Sequence, residues 1–256
     1  MKLPICKRLL LCADLVPFCN TVADVGTDHG YLGIHLLREG RCRHVIAADL
    51  REKPLASARA NAAAFGVKTL PLWGMKLSAS AASGIPETCA LGDSAGPVGM
   101  SFLLSDGLQN FEPGSFDTLV LAGMGGDLIT RILADAPWLE GGDYSLILQP
   151  QSAANDLRRH LGERGWSIRQ ERLVRDGRFL YSVMSVQPGQ GRPLTPGEQY
   201  VSPALRRERD PLYQEYLARM RRALELTVQG ITKSADPADQ VRAEYYAAAL
   251  DEIQRL

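Results

Sequence analysis

The stretch Val22-Ala23-Asp24-Val25-Gly26-Thr27-Asp28-His29-Gly30-Tyr31-Leu32 constrains what this chain can fold into more than any other. A short apolar run carrying an acid at Asp24 closes on Gly26, passes through the polar turn Thr27-Asp28-His29 and enters a run of helical character from Tyr31 to Glu39. Strand, tight turn and helix in that order open a βα unit. Glycine at the turn lets a ligand approach the backbone and lie against the helix N-terminus beyond it. Asp24, Gly26, Thr27 and Gly30 are therefore the first candidate ligand contacts. A dinucleotide fingerprint is excluded, since G-x-G-x-x-G counted from Gly26 would need glycine where the chain has Asp28 and Tyr31.

Two further strand ends carry acids. Val45-Ile46-Ala47-Ala48-Asp49 closes on a carboxylate 25 residues after Asp24, about the interval at which Rossmann-type folds put the acceptor for ribose hydroxyls, with Leu50 beside it. Ser101 to Asp106 ends on a third acid followed by Gly107, suited to accept from the exocyclic amine of an adenine ring. Three strand-terminal acids on one sheet edge point to a nucleoside-bearing ligand. Each also suits the cap of the helix that follows, and capping and ligand binding coexist at such turns.

From Val22 onward strand and helix alternate: strand 22 to 25, helix 31 to 39, strand 44 to 48, helix 53 to 65, strand 101 to 105, strand 116 to 122, helix 127 to 134, strand 145 to 148 and helix 153 to 164. Short units of this kind predict an α/β fold, a parallel sheet with helices on both faces. Trp166 to Val174 and Arg178 to Val186, separated by Arg175-Asp176-Gly177, predict a closing antiparallel hairpin and bring the strand count to seven. A helix over 5 to 16, with Ile5, Leu9, Cys12 and Val16 in one row, precedes the sheet and is expected to bring Lys7 and Arg8 toward the ligand turn.

Residues 66 to 100 break the rhythm with six glycines and the serine and alanine run 78 to 83, which predicts an irregular insertion over 70 to 100. After a Gly/Pro-rich linker from 187 to 203, apolar rows in Tyr213 to Ile231 and in a second helix capped at Asp236-Pro237 predict an antiparallel helical pair. A catalytic domain over 1–187 and an arm over 204–256 is the resulting division.

The formal net charge is zero, so a nucleic-acid partner would have to meet a local patch. Residues 151 to 181 offer one, with seven arginines, Arg158 and Arg159 among them, against four acids. The five cysteines form no C-x-x-C pair, which argues against a disulfide framework or zinc knuckle and for reduced thiols in the cytoplasm. His29, His35, His44 and His160 lack ligand spacing, so no metal is expected, and no apolar run reaches the length of a membrane span.

Asp24 to Leu32, Asp106-Gly107-Leu108, Leu121-Ala122-Gly123-Met124-Gly125-Gly126 and Leu146-Ile147-Leu148-Gln149-Pro150 together resemble the bacterial tRNA (adenine(22)-N(1))-methyltransferases. The glycine turn is similar to the D-x-G-x-x-x-G variant with which methyltransferases hold S-adenosylmethionine. A-G-M-G-G after the fourth strand followed by L-I-L-Q-P after the fifth is the more specific combination. The resemblance covers residues 5 to 69 and 101 to 186. It departs at Thr27, Asp49 and Gln151, where the family usually carries Ser, Glu and Asn, and at the 70 to 100 insertion. It implies a Rossmann-like seven-stranded methyltransferase sheet with a C-terminal helical pair or coiled coil. It also implies S-adenosyl-L-methionine as cofactor, tRNA as partner, methyl transfer to N1 of an adenine, and a cytoplasmic monomer, a dimer staying open. The cofactor contacts expected are Asp24, Gly26, Thr27, Gly30, Asp49, Leu50, Asp106, Gly107, Ala122 and Gly123.

Enzymes that methylate an exocyclic amine present an acceptor side chain, two prolines and an aromatic after the fourth strand. Here Gly123-Met124-Gly125-Gly126 leave room for a base edge and bring no side-chain acceptor. A ring nitrogen has its lone pair free, so alignment with the methyl donor could do most of the work. A carboxylate near the base would favour the positive charge that develops on it. Asp28 is the candidate for that carboxylate, with His29 and Tyr31 to hydrogen-bond or stack. Met124, Gly125, Gln149, Arg158 and Arg159 are the candidate substrate contacts. A methyltransferase for another RNA, a protein or a small molecule, and a non-catalytic RNA-binding protein, are the alternatives.

Overall fold

The computed structural model describes residues 2–72, 97–231 and 237–256. Helix α1 (Lys7–Leu15) precedes β1 (Cys19–Val25), and the chain alternates through α2 (Tyr31–Arg38), β2 (Cys42–Asp49), α3 (Glu52–Ala64), β3 (Gly99–Leu104), β4 (Thr118–Met124), α4 (Gly126–Ala134), β5 (Ser145–Pro150) and α5 (Ala154–Glu163). The hairpin β6 (Trp166–Asp176) and β7 (Phe179–Gln190) follows, then α6 (Pro196–Tyr200), α7 (Pro203–Glu208), α8 (Tyr213–Ile231) and α9 (Pro237–Gln254). All seven strands join one sheet in the order β3-β2-β1-β4-β5-β7-β6. β1 to β5 pair in parallel, and β7 runs antiparallel to β5 and β6.

Both faces of the parallel strands are covered, so their side chains read as near-continuous apolar runs. On one face Ala23, Val25, Ile46, Leu119, Leu121, Leu146 and Leu148 pack against Ile129 and Leu133 of α4 and Leu157 and Leu161 of α5. On the other, Val22, Val45, Ala47, Val120 and Ile147 meet α1, α2 and α3 through Leu11, Cys12, Leu32, Leu36, Leu55 and Ala58. The period of two along each strand assigns neighbours such as Leu119 and Val120 to opposite layers.

Two expectations need correction. β3 starts at Gly99, inside the stretch expected to be irregular, because Met100 is an apolar residue that the sheet buries completely. Met100 N donates to Lys68 O at 2.9 Å and Leu70 N donates to Met100 O at 2.8 Å, so the two ends of the expected insertion are bonded neighbours. Its centre, residues 73–96, lies outside the described residues.

The expected linker from 187 to 203 is ordered structure. β7 continues to Gln190, and Pro196 and Pro203 stand in the first turns of α6 and α7, where their fixed φ suits a helix start. Thr195 and Glu198 close a capping box, and the Ser202 side chain accepts from Leu205 N. Tyr200, Val201 and Leu205 then join Tyr216, Leu217 and Leu224 of α8 and Ala249 and Ile253 of α9 in a third core that also takes in Leu173 of β6. No described helix is long and apolar enough to cross a membrane.

Candidate active site

The C-terminal ends of β1, β2, β4 and β5 carry most of the predicted site, and each is shaped by its own backbone. Gly26 has φ +79°, a conformation side-chain-bearing residues rarely adopt, and an added Cβ would fall 2.2 Å from Met124 Cε. Gly26 N and Thr27 N both donate to Ala48 O, at 2.8 and 3.1 Å, which ties the turn to β2. Thr27 Oγ1 donates to Asp24 Oδ2 at 2.7 Å. Asp24 is buried, and burial pushes its carboxyl up to about 6, while the Thr27 hydroxyl opposes that rise and Asp49 adds to it. Gly30 opens α2 against Ala58 of α3.

Asp28, His29 and Tyr31 stand together on the outer lip of this turn. Asp28 is exposed with φ 48°, its carboxylate 3.6 Å from His29 Nε2. The His29 ring stacks on Tyr31 with centroids 5.7 Å apart. Asp28 does not cap α2, because Gly30 holds the N-cap position. The Asn61 side chain, from α3, donates to His29 O at 3.0 Å and braces the turn from a position no local motif marks.

At the end of β2, Asp49 Oδ1 accepts from Arg51 N at 2.9 Å, and Ser105 N donates to Asp49 O at 2.9 Å, joining this end to the one that carries Asp106. Asp106 is exposed, and Gly107 packs on Ile132 of α4. Leu50 is 61% exposed and Leu104 50% exposed. Leu104 pairs with Asp49 across the sheet, so the two leucines flank the same acid. Apolar side chains left open beside hydrogen-bond acceptors are suited to a flat ring with polar edges. Leu104 escaped the sequence reading because the alternation of the strand gave no reason to leave it exposed.

The end of β4 is built differently. A register shift between Ala122 and Met124 accompanies Gly123 at φ +78°. Gly123 N donates to Gln149 Oε1 at 3.0 Å, and Arg8 Nη1 from α1 donates to the same oxygen at 3.0 Å. Gly125 opens α4 beside Ser152. The helical row of α1 leads to Arg8 lying toward the ligand turn, as it does, but nothing local marks the Gln149 amide that it meets.

Two substrate candidates are corrected by burial. Gln149 is fully buried, its Nε2 donating to Pro150 O at 3.0 Å, so it supports Gly123 and Arg8 and does not face a base. Arg158 is also fully buried, 2.6 Å from Glu171, which removes it from any surface a phosphate could reach. Arg159 is exposed and pairs with Asp156 at 2.9 Å.

The residues fit a nucleoside bearing an amino-acid tail. Glycine at Gly26 lets the Met124 side chain close in on the turn, and the acids Asp24, next to last in β1, and Asp49, at the end of β2, stand beside it. Residues 99–254 match the family model described as tRNA (adenine(22)-N(1))-methyltransferase. The chain belongs to that family. Residues 5–76 match a methyltransferase domain model. The tRNA (adenine(22)-N(1))-methyltransferase of Bacillus subtilis strain 168 is 24% identical over 241 residues, 92% of this chain and 89% of that one. A candidate tRNA (m1A22) methyltransferase of Streptococcus pneumoniae, solved in complex with S-adenosyl-L-methionine, is 28% identical with a TM-score of 0.70, covering 97% of this chain and 99% of its own. A Streptococcus agalactiae protein of the NADB-Rossmann superfamily is 25% identical with a TM-score of 0.73, covering 100% and 98%.

Proposed function

We propose that this chain transfers the methyl group of S-adenosylmethionine to N1 of an adenine in tRNA. Membership of the tRNA (adenine(22)-N(1))-methyltransferase family carries this reading, and the absence of a side-chain acceptor across Gly123-Met124-Gly125-Gly126 supports a ring nitrogen over an exocyclic amine. S-adenosylmethionine, when bound, supplies an electrophilic methyl group on a sulfonium. Asp49 accepts from the ribose hydroxyls, Asp106 from the adenine amine, and Leu50 covers the ring. Asp24, Gly26, Thr27, Gly30, Gly107, Ala122 and Gly123 complete the cofactor contacts.

Met124 and Gly125 border the target base. His29 and Tyr31, already stacked on each other, extend a stack onto that base, and the Asp28 carboxylate beside them stabilises the cationic ring that methylation creates. The tRNA body lies across Arg159 and the helical arm, where Arg206 and Arg207 are exposed. The cofactor and base contacts lie within residues 1–187, the arm is residues 204–256, and the active species is a monomer.

Mass spectrometry of nucleosides from unmodified tRNA incubated with the protein and S-adenosylmethionine tests the reading. 1-Methyladenosine is the expected product. N6-methyladenosine, or methylation of a non-tRNA substrate alone, would overturn it.

A further inference from the structure

We propose that Arg8 binds the α-carboxylate of S-adenosylmethionine and anchors the amino-acid end of the cofactor. The proposal rests on the methyl-donor reading above and adds a residue to it from outside the strand-end motifs.

The first observation is placement. Leu11, Cys12 and Leu15 bury α1 against the sheet, and this fixes the direction in which its first turn points. Arg8 is thereby carried to the ends of β4 and β5, with its side chain 25% exposed. Its Nη1 lies 2.9 Å from where a Cβ on Gly123 would stand, so glycine at 123 is what admits the guanidinium.

The second is preorganisation. Gln149 Oε1 receives both Arg8 Nη1 and Gly123 N, at 3.0 Å each, and Gln149 Nε2 donates to Pro150 O, which fixes the orientation of the amide. A buried neutral amide therefore aims a cation at the turn after β4 while leaving most of its five donors to others.

The third is charge. Asp176 Oδ2 is 3.7 Å from Arg8 Nε, longer than a hydrogen bond, and Gln149 is neutral. A largely sheltered guanidinium with this partial neutralisation favours an incoming anion, and its planar fork matches a carboxylate. The cofactor carries one anionic group. With its nucleoside held at Asp49, at the end of β2, and Asp106, just beyond β3, its amino-acid end extends over β1 toward β4. Val25 and Leu121 are register partners there, so Gly26 and Ala122 lie side by side, next to Gly123. Pairing also removes an electrostatic conflict, because an unneutralised cation would oppose the charge that builds on the base.

Calorimetric titration with S-adenosylhomocysteine and with 5′-methylthioadenosine tests this, since the second compound keeps the nucleoside and thioether but lacks the amino-acid tail. Arg8→Gln, which retains packing and a donor but no charge, should weaken S-adenosylhomocysteine about 10- to 100-fold and leave 5′-methylthioadenosine unchanged. Arg8→Lys should recover part of the loss. Unchanged S-adenosylhomocysteine affinity in Arg8→Gln overturns the proposal, and does so in favour of a phosphate contact if tRNA affinity falls instead. An equal loss for both compounds also overturns it, since Arg8 would then only brace the turn. If the wild-type protein binds neither compound, the methyl-donor reading itself fails.

Discussion

Arg158 Nη2 and Glu171 Oε1 meet 2.6 Å apart with neither side chain exposed, and their other partners come from β7, from residues 199–202 and from α8. Arg158 Nη1 donates to Gln199 O and Nη2 also to the Tyr216 hydroxyl, both at 2.9 Å, while the Ser202 hydroxyl donates to Glu171 at 2.6 Å. Burial alone would lower the Arg158 pKa, and the Glu171 carboxylate overrides it, so the guanidinium stays charged. The pair fastens α5 and β6 to the C-terminal helices. Breaking it strands one buried charge, so Arg158→Ala should lower stability by about 3 to 5 kcal/mol in chemical denaturation.

The same network predicts what truncation does. A chain ending at Gln187 loses the Gln199 carbonyl, the Ser202 hydroxyl and Tyr216 together, and exposes Leu173. Its thermal unfolding midpoint should fall well below that of the full chain even without ligand. An unchanged midpoint would show that the helical arm folds and packs independently.

Asp24 makes stability pH-dependent in a defined direction. Its folded-state pKa, about 6, lies above the value near 4 of an unfolded aspartate. Between those values the folded chain keeps a proton that the unfolded chain has released. The contribution is therefore complete below about pH 4 and lost as pH rises through about 6, a change of about 3 kcal/mol. Asp24→Asn should flatten this slope, so urea titrations of the ligand-free proteins at pH 5 and pH 8 should show a smaller change for the variant.

Asp28→Asn isolates charge from geometry. Asparagine tolerates the positive φ that Asp28 adopts, so the turn should survive the substitution. Cofactor affinity measured by calorimetry should hold, while single-turnover methyl transfer slows about 10-fold or more. A wild-type transfer rate would leave Asp28 without a part in the chemistry.

Asp49→Ala removes the proposed ribose acceptor at the end of β2. Affinity for S-adenosylhomocysteine should drop by about 1 to 3 kcal/mol, read by calorimetry, because hydroxyls left unpaired in the site keep their desolvation cost. Undiminished affinity would move the ribose away from this acid.

The sequence by itself determined the sheet and the turn. Apolar runs punctuated by glycine and acid fix where strands end, because a strand buried on both faces must be apolar and its turn must bend sharply, and both demands are local. The helix row in Tyr213 to Ile231 was legible for the same reason, and its bounds match the structure. Tertiary structure decided which polar residues face a ligand and which face each other. Arg158 and Arg159 are adjacent arginines on one helix, yet one is sealed against Glu171 and the other exposed. Glu171 is 13 residues away and Tyr216 is 58 residues away from Arg158, and no local pattern records such partners. Arg8 and Gln149 meet across 141 residues for the same reason. Periodicity carries the burial of a face, whereas the pairing of charges depends on which elements the completed sheet brings together.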